Sequence, residues 1–319
     1  IRDSVSYVLN GTGSVSEATA ARVRACVEEL GYRPNALAVA HRTGRSRTIG
    51  LAVTDLTNPF FPEFAQGVHQ AAATSGFAVF LLDAHRSESA EIEGVTRLAD
   101  RFPEGLIWVP VRDDIISDQD FPFPTVVFDR DIDGFDSVRA DIHGGGMLQA
   151  EYVLRYGHTR VGLISGPEWH DTSQLRRRGF LEGIGDRAEV VWDFPLEHSS
   201  HIPPDIVDEI AASDVTCAVT STDIQAIGLM NVYRGSGRIV PDDVSVVGFD
   251  DIELASLVSP GLTSVHLSAR TLGATAFELL AQRIADPDLP VRRTVLPVSM
   301  IERESLREVT DRAARDLRP

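Results

Sequence analysis

From Thr48 onward, short unbroken apolar runs alternate with amphipathic stretches. The runs fall at 49–53, 78–82, 106–109, 125–128, 161–164, 190–192, 218–220 and 244–248, and helical periodicity marks segments such as 64–75, 146–156, 224–234 and 267–284. Strands without apolar/polar alternation, separated by helices, predict parallel sheets covered on both faces. About eight strands over some 250 residues fit two doubly wound α/β halves better than one oversized sheet, with a single closed eight-fold barrel as the alternative. Asp55, Asp83, Asp129, Asp223 and Asp250 cluster where strands should end, which suits either architecture because ligands bind at the carboxyl ends of parallel strands in both.

The first 47 residues read differently. Val5, Val8 and Leu9 form the apolar stripe of a short helix that the Asn10-Gly11 pair ends, with Arg2, Ser4, Ser6 and Tyr7 on the polar side. Ser16 is an N-cap with Glu17 in the first turn behind it, Ala20, Val23, Val27 and Leu30 recur at helical spacing, and Gly31 supplies the stop. Residues 32–47 form a linker with one or two marginal helical turns at 35–41, too short for a stable isolated helix in water.

Composition sharpens the division. The net charge is −17, yet residues 1–50 carry seven Arg against four acids, and the remaining residues carry 23 Arg against 43 acids. This asymmetry suggests a small basic module for DNA attached to an acidic body. All thirty basic residues are Arg, so Schiff-base chemistry and the lysine of a phosphate-binding loop are excluded. Neither a run approaching the roughly 20 apolar residues of a membrane span nor a signal-peptide pattern is present, which points to the cytoplasm and to no membrane partner. Cys26 and Cys217 lie in apolar stretches and read as small buried hydrophobes.

Enzyme signatures do not assemble. His143-Gly144-Gly145-Gly146 mimics an oxyanion-hole motif, but no G-x-S-x-G elbow accompanies it, and close helix packing is the better reading. G-x-G-x-x-G, a phosphate-binding loop and metal-binding His spacings are all missing from the sequence, so neither cofactor nor metal is expected.

Taken in order, VSYVLNG (5–11), VSE (15–17), GYRPNALA (31–38), TIGL (48–51), DLTNPFF (55–61), GLI (105–107), GH (157–158), ISGP (164–167), the Arg176–Phe180 segment and VPDDVSVVGFDD (240–251) resemble the lactose-repressor and purine-repressor (LacI/GalR) family across essentially the whole chain. The resemblance implies two periplasmic-binding-protein-like subdomains behind a partial helix-turn-helix head, whose first helix would precede residue 1, and a hinge. The expected boundaries are 1–34 for the head, 35–47 for the hinge, 48–141 plus 267–292 for one subdomain and 142–266 plus 293–319 for the other.

It further implies that Arg2, Ser4, Ser6 and Tyr7 meet bases or phosphates in the major groove, and that Asn35, His41 and Arg42 belong to a hinge that orders in the minor groove. His41 stands where the family has a wedging Leu. The effector, most often a sugar, is expected between the subdomains. Phe60 and Phe61 are expected at the mouth of the first helix, Asp129 and Asp250 at strand ends, and Arg176 opening a helix of the second half. Phe194 is expected as an aromatic platform, with His170 and Thr172 as secondary contacts and Thr222 where Asn is common. An Arg between carboxylates suits vicinal hydroxyls without any appeal to the family. The expected protein is a non-enzymatic transcription regulator, usually a repressor. It would bind a pseudo-palindromic operator as a homodimer, with tetramers as a further option. The competing class is a sugar-binding receptor of the transport type, without DNA function.

Overall fold

In a computed structural model of the chain, residues 8, 15–30, 45–112 and 123–309 are described. The chain divides into two compact units, 1–47 and 48–319. In the first, helix α1 (Glu17–Glu29) begins as the sequence predicts: Ser16 is its N-cap and accepts a hydrogen bond from the Thr19 amide. Ala20, Val23 and Val27 are half-buried while the rest of the helix is exposed, Cys26 included. Cys26 is therefore not the buried hydrophobe that was expected, because it lies off the stripe that Ala20, Val23 and Val27 form. Arg2, Ser4, Ser6, Tyr7, Asn35, His41 and Arg42 lie outside the described residues.

The second unit holds two six-stranded sheets. The first contains β1 (Thr48–Val53), β2 (Ala78–Asp83), β3 (Leu106–Trp108), β4 (Thr125–Phe128), β5 (Asp136–Ala140) and β11 (Arg293–Leu296), in the order β11-β5-β4-β3-β1-β2. The second contains β6 (Arg160–Ile164), β7 (Glu189–Phe194), β8 (Cys217–Thr220), β9 (Ser245–Asp250), β10 (Thr263–His266) and β12 (Ser299–Ile301), in the order β12-β10-β9-β8-β6-β7. The two orders are the same pattern used twice. All pairings are parallel except β10 with β12. Two open sheets rule out the single barrel.

Helices cover both faces of each sheet, as parallel sheets require. In the first lobe α2 (Phe60–Thr74) packs against α9 (Ala269–Ala285), and α3 (Glu88–Ala99) covers the other face. In the second, α4 (Ile142–Arg155) lies along α5 (Asp171–Ile184), opposite α6 (Pro204–Ala212) and α7 (Asp223–Gly235), and the short α8 (Glu253–Leu257) follows β9. A Cβ on Gly146 would stand 2.2 Å from the Arg176 carbonyl oxygen, and one on Gly179 would stand 2.1 Å from that of His143. The glycine run of α4 therefore serves close helix packing, and it seats the helix that carries Arg176.

The chain crosses between lobes three times: after β5, after β10 and after β11. The first two crossings lie between Ala140 and Ile142 and between His266 and Ala269. The third falls between Leu296 and Ser299, later than the expected 292/293, because residues 293–296 pair in register with β5. Within the first lobe, Asp136 is fully buried and accepts from Nε and Nη2 of Arg283, each at 3.0 Å, and from the Arg292 amide at 2.7 Å. One carboxylate thus ties β5 to α9 and to the start of β11.

Candidate functional site

In each sheet the strand order reverses at one point, between β1 and β3 and between β6 and β8. Loops leaving adjacent strands there run to opposite faces and open a crevice at the carboxyl ends. The two crevices contribute to one cleft that opens to solvent at its mouth. Its walls come from the loops after β1 (Thr54, Asn58), β3 (Val109, Pro110) and β4 (Asp129, Arg130), and from those after β6 (His170), β7 (His198) and β8 (Thr222).

Arg176 stands at its centre, in the second turn of α5 rather than at the start that was expected. Its guanidinium carbon sits 3.7 Å from the centroid of the Phe249 ring. The side chain is only 7% exposed, and Nε and Nη1 are buried with no hydrogen-bond partner in the protein. Desolvation lowers its pKa, against the pull of Asp250, Asp129 and Asp223. Unpartnered buried donors on a charged group are costly, and native structures keep them where a ligand supplies the acceptor.

Two carboxylates flank it. Asp250 ends β9 with φ of 106°, and Asp129 follows β4 with φ of 65°, so both occupy left-handed backbone that non-glycine residues seldom adopt. Desolvation raises both carboxyls. That of Asp250 is pushed up to about 7, with Arg176 opposing the rise and Asp129 adding to it. Asp223, by contrast, is an internal strut that accepts from the Ile252 amide and the Ser264 hydroxyl.

The remaining wall is neutral and polar. His170 N-caps α5, with the hydroxyls of Thr172 and Ser173 lying 2.8 and 3.1 Å from its Nδ1. The Ser173 hydroxyl also lies 3.0 Å from His198 Nε2, and the two imidazoles meet edge to face. Burial holds both rings far below the ordinary histidine range, His198 at about 3, and nearby Arg176 adds to this. They are neutral hydrogen-bonding groups at neutral pH. Thr222 lines the cleft but is occupied as the N-cap of α7, its hydroxyl shared with Gln225 in a capping box. Phe60 and Phe61 pack edge to face at 5.5 Å at the start of α2.

Phe60, Phe61, Asp129, His170, Thr172, Arg176, Thr222 and Asp250 all line this cleft, and Phe194 does not. Phe194 and Trp192 alternate onto the same side of edge strand β7, where their rings stack at 5.4 Å against the second lobe's core. Sequence reasoning missed Asn58, Arg130 and His198. It also missed Arg86, which is paired with Asp55 at 2.5 Å and donates from Nη2 to the His198 carbonyl oxygen across the cleft at 3.1 Å. Arg130 Nη1 makes a second approach between lobes, 3.5 Å from the Thr172 hydroxyl. Among the described residues, no group of three His, Cys, Asp or Glu side chains could hold a metal ion.

This architecture has close counterparts. Residues 3–35 match the model of the bacterial regulatory proteins of the lacI family, and residues 150–306 match the periplasmic binding protein-like domain. The ribose operon repressor of Escherichia coli K12 is 31% identical over 95% of this chain and 95% of its own. The lac repressor dimer bound to operator and an anti-inducer superposes with a TM-score of 0.83 at 25% identity, covering 95% of this chain and 94% of that one. A LacI family regulator of Enterococcus faecium with bound ribose gives 0.74 at 27% identity, over 82% of this chain and 100% of that one. Head motif, doubled sheet topology and full-length likeness agree: the chain belongs to the lacI family of bacterial regulatory proteins, DNA-binding repressors of transcription built on a periplasmic-binding-protein-like body.

Proposed function

We propose that this protein is a cytoplasmic, homodimeric repressor of a pseudo-palindromic operator, controlled by a sugar bound between Arg176, Asp129 and Asp250. The observation that carries the sugar reading is the buried Arg176 guanidinium, with two N–H donors lacking acceptors and a carboxylate to either side. A polyol supplies what that arrangement lacks. Its hydroxyl oxygens accept from the guanidinium, while its hydroxyl hydrogens donate to Asp129 and Asp250. Phe60 and Phe61 give the wall an apolar surface for the C–H face of a sugar ring. Ribose in a regulator of the same fold supports this class of ligand. The head match over residues 3–35 weighs against a transport receptor without DNA function.

Arg2, Ser4, Ser6 and Tyr7 are proposed to read the major groove, and Asn35, His41 and Arg42 to follow the hinge into the minor groove. Control follows from geometry. The cleft is walled by two lobes that the chain joins through three crossings, so a ligand held by Asp129 on one side and by Arg176 and Asp250 on the other favours one interlobe angle. It shifts DNA affinity only to the extent that it binds one state better than the other. Calorimetric titration with monosaccharides, disaccharides and purine bases tests the ligand class. Saturable binding of a sugar, lost in Arg176→Ala, is the expected outcome. Binding of purine bases alone would overturn the sugar reading.

A further inference from the structure

The cleft does not end at the Arg176 chamber. A second chamber continues from it and shares Thr54, Asn58, Phe61, His170 and His198 with the first. Trp169 forms part of its wall and is 50% exposed, while the protein's other two tryptophans are buried. The Trp169 and His170 ring centroids lie 5.5 Å apart with planes at 85°, and half of the indole remains exposed at the chamber wall. Asp55, Asn58, Arg86 and Glu197 give it a polar rim, and Phe61, Val111 and Pro167 complete its lining.

One half-exposed indole beside Phe61, set among charged groups, does not make an apolar patch of the kind that docks proteins. One aromatic face ringed by hydrogen-bonding groups is the pattern that holds a pyranose, with the ring's C–H face on the indole and its hydroxyls toward the polar rim. The inner chamber, with Arg176, Asp129 and Asp250, already accounts for one sugar unit. We infer that Trp169 forms an outer subsite for a second unit, so that the effector is a disaccharide spanning both chambers past His170 and His198. This rests on the sugar reading of the inner chamber.

The test is calorimetric titration of the full chain with matched pairs: glucose with cellobiose, glucose with maltose, galactose with lactose, and xylose with xylobiose. At least one disaccharide should bind about tenfold or more tightly than its own monosaccharide. Trp169→Ala should remove that advantage while leaving the monosaccharide Kd within about twofold, and Trp169→Phe should retain most of it. Disaccharide binding should also change the tryptophan emission of the wild type but not that of Trp169→Phe. The outer subsite is overturned, with the sugar reading intact, if each disaccharide binds no better than its monosaccharide or if Trp169→Ala weakens both alike. If no sugar of either length binds, the sugar reading itself fails and the subsite with it.

Discussion

Replacing Arg176 with Met keeps much of the side-chain volume and removes the two orphan donors, Nε and Nη1, from the centre of the cleft. Hydrogen bonds to charged groups contribute about 1.5–3 kcal/mol each, so losing two should cost the effector roughly 3–6 kcal/mol of binding free energy. That corresponds to a Kd raised by about 10²–10⁴. Two effects of the change oppose each other in the empty protein. Met ends the desolvation of a buried cation, but it leaves Asp129 and Asp250 facing each other without one. Since burial already brings the Asp250 carboxyl to about 7, that carboxyl can protonate in mildly acidic buffer, and the variant should stay folded there. Thermal unfolding followed with and without effector reads both quantities. At an effector concentration of about 100 Kd the wild type should gain roughly 2.7 kcal/mol, whereas a variant weakened about 100-fold should gain only about 0.4 kcal/mol. Arg176→Lys should fall in between, because an ammonium keeps the charge without the planar fork. A folded Arg176→Met protein that binds effector within about tenfold of wild type would refute the reasoning.

Three further outcomes follow from buried charge. Effector affinity should rise with pH up to about 7 and level off above it, because the Asp250 carboxylate must be ionised to accept from a hydroxyl; below that it should fall by up to about tenfold per unit, and Asp250→Asn should flatten the profile. Asp136→Ala should destabilise the body by about 3–5 kcal/mol in urea denaturation, because it strands Arg283 and Arg292 beside an emptied buried site. Glu91 is fully buried and accepts from Trp108 Nε1 and the Val111 amide, and desolvation raises its carboxyl from 4.5 to about 7. Its protonated form is favoured by folding, so its contribution is present below about 4.5 and is lost as pH rises through about 7. Glu91→Gln should therefore remove a fall in stability on the order of 2–3 kcal/mol across that window.

The central strands were legible because both faces are covered and their sequences are apolar throughout, as in β8 and β9. β5 was not, because its buried positions include Asp136 and Ser137, whose polarity is neutralised by Arg283, Arg292 and Asp131 from elsewhere in the chain. β11 and β12 are short, half-exposed edge strands, and without the register of β5 nothing in residues 293–296 tells which sheet receives them. At the site, Asp129, Arg176 and Asp250 could be read because each sits at a fixed offset from an apolar run or a motif. His198 and Arg86 come from irregular loops whose positions only the folded chain determines, so neither period nor spacing singled them out. Phe194 misled for a related reason: alternation along β7 decides which side an aromatic faces, and it turns Phe194 toward Trp192.

Ligand control of DNA binding is tested most directly on the protein with a duplex of its own choosing. Rounds of selection from random duplex DNA would yield the preferred site, and fluorescence anisotropy at several salt concentrations would then measure its affinity with and without the sugar that fills the cleft. The account predicts a pseudo-palindromic site, bound at least about 10³-fold more tightly than random duplex, whose affinity changes by about tenfold or more when the sugar is added. It also predicts that Arg176→Met abolishes the change while leaving the affinity for DNA intact. No preference over random duplex, or an affinity that stays the same with the sugar bound, would contradict it.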